Sequence, residues 1–177
     1  AVGAAIGTAV GAGTGALIGK HMDKVKAEAE AVKNAQVQTV TDANGLQAVK
    51  VTFDSGILFD TNKADLKPAA KTSLTKFAEV LKNNTDCDVA IYGHTDNTGN
   101  DAINVPLSKN RAVSVQNFLS NLGVSAAQFK SVDGQGSTNP VADNTTAAGR
   151  QQNRRVEVYM YASANMINAA NNGTLNK

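Results

Sequence analysis

Two neighbouring stretches decide the fold and point to a binding site: Tyr92-Gly93-His94-Thr95-Asp96-Asn97-Thr98-Gly99 and Asn104-Val105-Pro106-Leu107-Ser108-Lys109-Asn110-Arg111-Ala112. Asp96 follows an apolar strand pattern, and the second stretch predicts a helix that begins near Asn104. Arg111 lies on the apolar stripe of that helix, one turn from its start, where the helix dipole opposes a cation. A guanidinium on an inward face requires an anion, from Asp96 or from a ligand. The pair therefore offers one positive and one negative group, as a zwitterionic ligand requires.

The apolar periodicity on either side of these stretches predicts an α+β fold. Alternation of apolar and polar residues predicts strands over 49–53, 87–92, 128–133 and 156–160. Helical spacing predicts helices over 68–81 and 104–121 and a short helix over 145–153. The resulting order, β-α-β-α-β-(α)-β, predicts a mixed sheet with helices packed on one face.

The first nineteen residues differ in character from the rest. Ala1–Gly19 contains no charged residue, and glycine occupies every fourth position from Gly3 to Gly19. On a helix this spacing places small residues along one face, as in helices that pack closely within a membrane. Nineteen uncharged residues are also just long enough to span a bilayer. Two interpretations stay open: a glycine-zipper segment that inserts into a membrane or self-associates into a homo-oligomer, and a disordered Gly/Ala-rich tail.

Two further segments flank the predicted domain. Apolar residues at helical spacing predict an amphipathic helix from Asp23 to Gln38, within a stalk and linker that covers residues 20–44. The turn signal Thr41-Asp42-Ala43-Asn44-Gly45 places a domain boundary there, so the predicted domain covers residues 45–162. The Asn- and Ala-rich residues 163–177 are predicted to form a loosely held polar tail, with one helical turn at most.

Charge and cysteine content narrow the classes of function. The 177-residue chain has a net charge of +2 and no run of five basic residues, which argues against nucleic acid as a partner. The single cysteine, Cys87, has no partner for an intrachain disulfide and is predicted to be a buried apolar residue. His94 has no metal-ligand spacing to His21, so neither a metal nor a cofactor is predicted. Because no nucleophile motif is present, the chain is predicted not to be an enzyme.

Several motifs resemble the OmpA-like C-terminal domain, a peptidoglycan-binding module. The two opening stretches match it, together with Phe59-Asp60-Thr61-Asn62, Gly134-x-Gly136 and Asn153-Arg154-Arg155-Val156, and the resemblance covers Leu46–Tyr161. A glycine zipper ahead of such a domain is similar to outer-membrane lipoproteins with this layout. The resemblance implies an outer-membrane protein on the periplasmic face of a Gram-negative envelope. The lipidated cysteine of such proteins is expected upstream of Ala1.

The resemblance also implies a ligand, the diaminopimelate residue of the peptidoglycan stem peptide. Its free end carries an ammonium and a carboxylate on one carbon. Asp96 is expected to bind the ammonium and Arg111 to bind the carboxylate through its planar fork. Backbone N–H groups at Asn104–Leu107, taken as the helix N-terminus, are expected to add donors to the anion. Further ligand contacts of the family map onto Asn62, Thr98, Asn104 and Arg154.

Plainer interpretations stay open beside these. Asp96 is also compatible with an Asx turn, and Arg111 with a structural ion pair to Asp96 that touches no ligand. His94 is predicted to be a structural or loop residue. For the whole chain, the leading hypothesis is a non-enzymatic tether between the outer membrane and the cell wall. The alternative is a membrane oligomer or assembly protein in which the domain serves only as an anchor.

Overall fold

A computed structural model describes residues 2–3 and 7–176, and within them the predicted α+β class with a mixed sheet is confirmed. The five described strands form one sheet in the order β1-β2-β5-β3-β4. In chain order the described elements are α1 (Thr14–Glu30), β1 (Ala35–Thr41), β2 (Gln47–Asp54), α2 (Ser55–Leu58), α3 (Pro68–Asn83), β3 (Cys87–His94), α4 (Asp101–Asn121), a 3-10 turn (Ala126–Gln128), β4 (Phe129–Gly134), α5 (Ala147–Asn153), β5 (Arg155–Ala162) and α6 (Ala164–Asn171).

Strand pairing brings distant parts of the chain together. β2 pairs antiparallel with β1 on one side and with β5 on the other. β3 pairs antiparallel with β5 and parallel with β4. The parallel pair needs a crossover, which α4 supplies. The last strand of the sequence therefore lies at the centre of the sheet, between β2 and β3.

The hydrophobic core lies between one face of the sheet and four helices, α1, α3, α4 and α6, as predicted for helices on one face. Alternate residues of the central strands point into it, and Phe53 of β2 meets Phe77 of α3 edge to face at 5.6 Å between ring centroids. Cys87 is buried in this core, and burial raises the pKa of its thiol well above the usual value. Its partners are apolar side chains, as the strand pattern predicted.

The predicted helix Asp23–Gln38 is wrong at both ends. The helix is Thr14–Glu30, and its inward face is fully buried through Ile18, Met22, Val25 and Ala29. Residue 34 has a left-handed backbone, and the chain then continues as β1, which pairs with β2 along its whole length. Pairing with the sheet satisfies the backbone there, and the apolar helical series of the sequence ends before it, at Val32. The segment predicted as a stalk thus supplies core residues and an edge strand.

The predicted turn before residue 45 is present, but it lies inside the sheet. Gly45 has a φ of 74°, and the Asp42 carboxylate accepts hydrogen bonds from the backbone N–H groups of Asn44 and Leu46. The turn joins β1 to β2, which are paired strands of one sheet. The turn therefore lies within one domain, and the predicted domain boundary at this position is wrong.

The glycine segment is not one helix in the residues that are described. Gly3 and Gly13 have left-handed φ values of 78°, and α1 begins only after Gly13. Gly15 and Gly19 lie within α1, whereas Gly11 precedes it and donates its N–H to the Asn171 side chain. No helix in the described residues combines the length and apolar character needed to cross a membrane. Residues 1 and 4–6 of this predicted segment lie outside the described residues.

The C-terminal residues are packed, contrary to the prediction of a loose tail. Ser163 caps α6 by accepting a hydrogen bond from the N–H of Met166, and Met166, Ile167 and Ala170 are buried against α1 and the sheet. The Asn176 side chain donates to the backbone carbonyl of Leu17 in α1. Sequence analysis missed this because the helix has only two large apolar residues, Met166 and Ile167, which are too few to establish a helical period. Lys177 lies outside the described residues.

The sheet face opposite the four helices is called the open face here. It carries the side chains that alternate with the core residues of β2, β5 and β3. All three tyrosines of the chain lie on it, at positions 92, 159 and 161. The open face carries the following residues: Ala48, Lys50, Ala90, Tyr92, His94, Arg155, Glu157, Tyr159 and Tyr161.

Candidate functional site

A cavity of about 420 Å³ lies where β3 ends and β5 begins, between the loop after α2 and the first turns of α4. All six residues predicted to contact a ligand line it: Asn62, Asp96, Thr98, Asn104, Arg111 and Arg154. The remaining lining residues are Ser55, Gly56, Phe59, Asp60, Thr61, Thr95 and Leu107. The fold therefore brings together residues that are spread over nearly a hundred positions of sequence.

Asp96 lies two residues after the end of β3 and is 4% exposed. One carboxylate oxygen accepts the backbone N–H of Thr98 at 2.8 Å and also the Thr98 hydroxyl, which is an Asx turn. The other oxygen accepts the Arg154 guanidinium. Burial raises the pKa of Asp96, but the Thr98 hydrogen bonds and the charge of Arg154 outweigh burial and hold the pKa below its usual value. Asp96 is therefore a firmly ionised carboxylate.

The loop after Asp96 leads into α4 and is held by side chains. The Asn104 amide donates to the backbone carbonyl of Thr98 at 2.8 Å, and Asn100 caps the helix by accepting the N–H of Ile103. The helix thus begins at Asp101, three residues before the predicted start. The amides of Asn104–Leu107 are consequently not the free N–H groups of a helix end. The predicted contribution of those amides to an anion site is wrong.

Arg111 lies in the third turn of α4, further from the helix start than the predicted one turn, and is 6% exposed. Its Nε donates to the Lys63 carbonyl at 2.9 Å, one Nη donates to the Asp60 carbonyl at 3.3 Å, and the guanidinium lies 5.0 Å from the Phe59 ring centroid. In the described residues it forms no ion pair, because Asp96 is paired with Arg154 instead. Burial lowers the pKa of Arg111, and the charge of Arg154 adds to this. Arg111 is a buried cation without a carboxylate.

Asn62 and Arg154 lie at the rim of the cavity. Asn62 is exposed, with a φ of 60° that Asn tolerates better than most residues. Arg154 immediately precedes β5, and its side chain is 42% exposed. Both side chains have room to change conformation when a ligand enters, whereas Asp96 and Arg111 are held by several contacts each.

Two glycines set the distance between α4 and the sheet. A Cβ at Gly93 would lie 2.1 Å from the Ser108 carbonyl oxygen, and a Cβ at Gly134 would lie 2.1 Å from the Lys109 nitrogen. The Ser108 hydroxyl accepts the N–H of Gly136, which fixes the same helix to the loop after β4. The motif Gly134-x-Gly136 therefore supports the position of α4, and with it Arg111, without reaching the cavity.

Sequence analysis did not single out the groups that hold Arg111. The Phe59 ring and the backbone carbonyls of Asp60 and Lys63 form its support. Phe59 and Asp60 belong to the motif Phe59-Asp60-Thr61-Asn62, so this motif indicated two of the three residues that support Arg111. Carbonyl groups exist at every residue, so only tertiary structure shows which ones point at a side chain.

His94 points to the open face, away from the cavity, and its Nε2–H donates to Glu157 at 3.2 Å. This is the structural role predicted for it. The described residues contain no group of three or more His, Cys, Asp or Glu side chains arranged to hold a metal ion. The cavity can therefore bind a ligand through charge, with the ionised carboxylate of Asp96, the guanidinium of Arg111, which has no carboxylate partner, and the partly exposed guanidinium of Arg154.

Comparisons with known proteins agree with this architecture. The model of the OmpA family matches residues 58–154, and a glycine zipper model matches residues 1–26. The probable lipoprotein YiaD of Escherichia coli is 38% identical over 141 residues, which are 80% of this chain and 63% of YiaD. The peptidoglycan-binding protein ArfA of Mycobacterium tuberculosis is 42% identical over 111 residues, which are 63% of this chain and 34% of ArfA.

A solved structure shows the same fold. The cell wall anchor of the type VI secretion system (T6SS) from Pseudomonas aeruginosa superposes with a TM-score of 0.65 at 27% identity, over 80% of this chain and 97% of that one. The chain thus spans nearly the whole of that structure but less than two thirds of YiaD and of ArfA. Because the family model matches more than half of the residues, including both opening stretches, this chain belongs to the OmpA family.

Proposed function

We propose that this chain binds peptidoglycan without covalent bonds, through the diaminopimelate of a stem peptide, and so tethers the outer membrane to the cell wall. Three relatives support this. ArfA is named a peptidoglycan-binding protein, YiaD a probable lipoprotein, and the superposed structure a cell wall anchor. Such a protein works at the outer membrane, with its binding domain on the periplasmic side.

The single observation that carries the proposal is the unpaired state of Arg111. A guanidinium that is 6% exposed has lost most of its hydration, and two backbone carbonyls do not neutralise its charge. A carboxylate that enters the cavity gains charge-assisted hydrogen bonds with a donor that is already desolvated and oriented. Little ordering remains to oppose binding, because the Phe59 ring and both carbonyls hold the guanidinium in place.

Asp96 supplies the complementary charge for the ligand ammonium. Its carboxylate lines the same cavity as Arg111 and is already ionised. The ammonium takes the oxygen that Arg154 occupies in the unliganded chain, and the exposed Arg154 side chain moves toward the ligand carboxylate. This exchange keeps one cation on Asp96 throughout, so the buried Asp96 carboxylate is never left unpaired.

The two charges together select the chemistry of the ligand. A group with an ammonium and a carboxylate on one carbon satisfies Asp96 and Arg111 at once. A lysine side chain in the same place carries only the ammonium, so Arg111 stays unpaired. Asn62, Thr98 and Asn104 add neutral polar groups at the edge of the cavity. They suit the peptide bonds and hydroxyl groups near such a residue.

Calorimetric titration of the full chain with a diaminopimelate-containing stem peptide tests the proposal. We expect saturable binding, with the lysine-containing counterpart at least tenfold weaker because it lacks the carboxylate. The Arg111→Ala protein should bind the diaminopimelate peptide about thirtyfold more weakly or worse, since truncating one partner of a buried charge pair costs about 2 kcal/mol or more.

Lys109→Ala is the matched control for that experiment. Lys109 is a cation on the same helix, with a side chain that is 46% exposed and directed to Asp133 of β4. Its loss changes the net charge by the same amount as Arg111→Ala and should leave the affinity unchanged. Equal binding of both peptides, or equal binding by Arg111→Ala and wild-type protein, would exclude the proposed mechanism.

The alternative, an oligomeric assembly protein, draws its support from the glycine zipper match over residues 1–26. Under it the glycine segment associates with other copies and the domain only anchors the assembly. Deletion of residues 1–12 leaves α1 and its N-cap Gly13 intact and removes Gly3, Gly7 and Gly11. A reduced particle size in detergent would favour this alternative, and an unchanged size would argue against it. Peptidoglycan binding is compatible with either outcome.

A further inference from the structure

The glycines that recur every fourth residue near the N-terminus fall into two classes. At alternate positions of the series, an added Cβ would lie 2.8–3.2 Å from a side chain of the folded domain; these positions are Gly3, Gly11 and Gly19. At the two positions between them, Gly7 and Gly15, no described atom lies within 4 Å of that Cβ. A helix–helix zipper would use all five alike, because the four-residue spacing places them on one helix face. The close contacts with the domain therefore single out every second glycine.

Asn171 of α6 binds the glycine segment at one end. Its Oδ1 accepts the Gly11 N–H at 2.9 Å and the Thr14 hydroxyl at 2.6 Å, and its Nδ2 donates to the Ala9 carbonyl at 2.7 Å. One side-chain amide thus pairs with both a backbone donor and a backbone acceptor of the segment, as a neighbouring strand would. A side chain larger than glycine at position 11 would press on the Asn171 side chain.

The other end of the glycine segment lies on the open face. The Ala43 N–H donates to the Val2 carbonyl at 2.9 Å, and Val2 is 7% exposed. The Val2 side chain packs in an apolar cluster that includes Ala90 and Tyr161. Gly3 follows with a φ of 78° and lies against the Tyr161 ring, 2.8 Å from the position of its missing Cβ. Val2 thereby covers apolar side chains at the centre of the open face.

The segment between these two contacts is held weakly. Residues 9–13 are all exposed, and Val10 is 44% exposed. Exposed hydrogen bonds with little apolar burial are typical of segments that open locally without global unfolding. Gly3 and Gly13 both have a left-handed backbone, which glycine adopts without steric cost. The segment can therefore leave the domain while α1 and the sheet stay folded.

We propose that the glycine segment, whose described residues are 2–3 and 7–13, is a releasable strap that docks on its own domain through Asn171 and Tyr161. Docked, it covers the apolar centre of the open face; released, it uncovers that surface and frees Gly3 and Gly11. These glycines can contact the domain or a second copy of the chain, but not both at once. The strap follows from the contacts alone, and its competition with a second copy rests on the alternative function above.

Amide hydrogen exchange of the ¹⁵N-labelled full chain, followed by NMR, measures docking at both ends. The Ala43 N–H reports the contact at Val2, and the Gly11 N–H reports the contact at Asn171. Amides in the centres of β3 and β5 report global unfolding. Asn171→Ala should speed exchange at Ala43 about tenfold, the effect of losing the hydrogen bonds of one side chain, and leave β3 and β5 unchanged.

Ala43 is the decisive amide because Asn171 does not bond to it, so it responds only if both ends release together. Asn168→Ala is the matched control, since Asn168 is an exposed asparagine on the same helix. Its exchange rates should equal those of the wild-type protein. Wild-type exchange at Ala43 in the Asn171→Ala protein would show two independent contacts and would overturn the strap.

A pair of glycine variants tests the same point from the opposite end. Gly3→Ala places a Cβ against Tyr161 and a left-handed φ on alanine, and should speed exchange at Gly11 about tenfold. Gly7→Ala has neither feature and should leave exchange unchanged. Equal exchange in the two variants would contradict docking, because a simple zipper gives both glycines the same role.

Particle size in detergent tests the competition with a second copy. Release from the domain frees the glycines, so the Asn171→Ala protein should form larger particles than the Asn168→Ala protein at equal concentration. Equal sizes would overturn the competition. Failure of the strap is therefore read from hydrogen exchange and failure of self-association from particle size. Stem-peptide binding should be the same in both variants, because Asn171 and Asn168 do not line the cavity of Asp96 and Arg111.

Discussion

Asp96 and Arg154, which are 58 positions apart in the sequence, form the ion pair of the candidate site. This pairing leaves Arg111 in the same cavity with only backbone carbonyls as partners. The structural bridge between Asp96 and Arg111 that the sequence left open is therefore not formed. Without an Asp96–Arg111 ion pair, Arg111 can accept a ligand carboxylate, and Arg154 neutralises Asp96 in the unliganded protein.

Replacement of Asp96 by asparagine should weaken the diaminopimelate peptide by about thirtyfold, or roughly 2 kcal/mol. The change keeps the shape of the side chain but removes the charge that holds the ammonium. Asp101→Asn is the matched control, since Asp101 is an exposed carboxylate at the start of α4. Calorimetry on the three proteins measures the effect. An affinity for Asp96→Asn within twofold of wild type would contradict the assignment.

Replacement of Arg154 by alanine should shift the pH dependence of ligand binding. Arg154 helps to lower the pKa of Asp96, and the two Thr98 hydrogen bonds remain in the variant. The pKa of Asp96 therefore rises in Arg154→Ala toward its usual value. Binding of the ligand ammonium needs ionised Asp96. On acidification, the Arg154→Ala protein should therefore lose ligand binding at a higher pH than the wild-type protein does. Titrations in steps from pH 7 to pH 3.5 measure the midpoint, and an unchanged midpoint would refute the prediction.

Replacement of Gly93 by alanine should destabilise the protein by about 2–3 kcal/mol. The new Cβ would lie 2.1 Å from the Ser108 carbonyl, so α4 has to move away from β3 and carry Arg111 with it. Gly15→Ala is the control: Gly15 is exposed in α1 and no described atom crowds its Cβ position. That change should stabilise the protein by about 1 kcal/mol. Urea unfolding measures the free energy of unfolding of both variants. An unchanged value for Gly93→Ala would show that α4 and the sheet can move apart without loss of stability, and would contradict the prediction.

Replacement of Glu157 by glutamine should reduce the sensitivity of the fold to acid. Burial raises the pKa of Glu157, but the His94 hydrogen bond and the charge of Arg155 outweigh it and lower the pKa from 4.5 to about 2. A carboxylate with a depressed pKa stabilises the folded state above its unfolded pKa and loses that contribution as the pH falls toward the folded pKa. Wild-type stability should therefore fall between about pH 4.5 and pH 2.

The size of that change is about 2 kcal/mol after allowance for screening by solvent. Glu157→Gln should be less stable than wild type at pH 7, because Lys50 and Arg155 lose their shared anion. Its unfolding free energy should change less than that of wild type over the same pH range. Urea unfolding at pH 7, 4.5 and 3 provides the comparison. Parallel pH profiles for the two proteins would contradict the role assigned to Glu157.

Local sequence pattern predicted the central elements because their signals do not depend on distant contacts. Pro68 marks the start of α3, and alternation between apolar and polar residues marks β2 and β5. The prediction failed at β1 (Ala35–Thr41), because the helix was extended to Gln38 although its apolar series ends at Val32. Strand pairing with β2 decided that segment, and a pairing partner is a long-range property.

The sequence by itself determined the fold class and the order of the central elements, because periodicity is a local quantity. The resemblance of its motifs to a known family implied the six residues that line one cavity. The sequence also placed Arg111 on an inward face. Only the tertiary structure decided which carboxylate pairs with which guanidinium, because Asp96 lies in the loop after β3, Arg111 in α4 and Arg154 just before β5. The tertiary structure likewise packed residues 14–30 and 164–171 into the core. Burial of a few apolar residues on a sheet stabilises such segments more than their own helical propensity does.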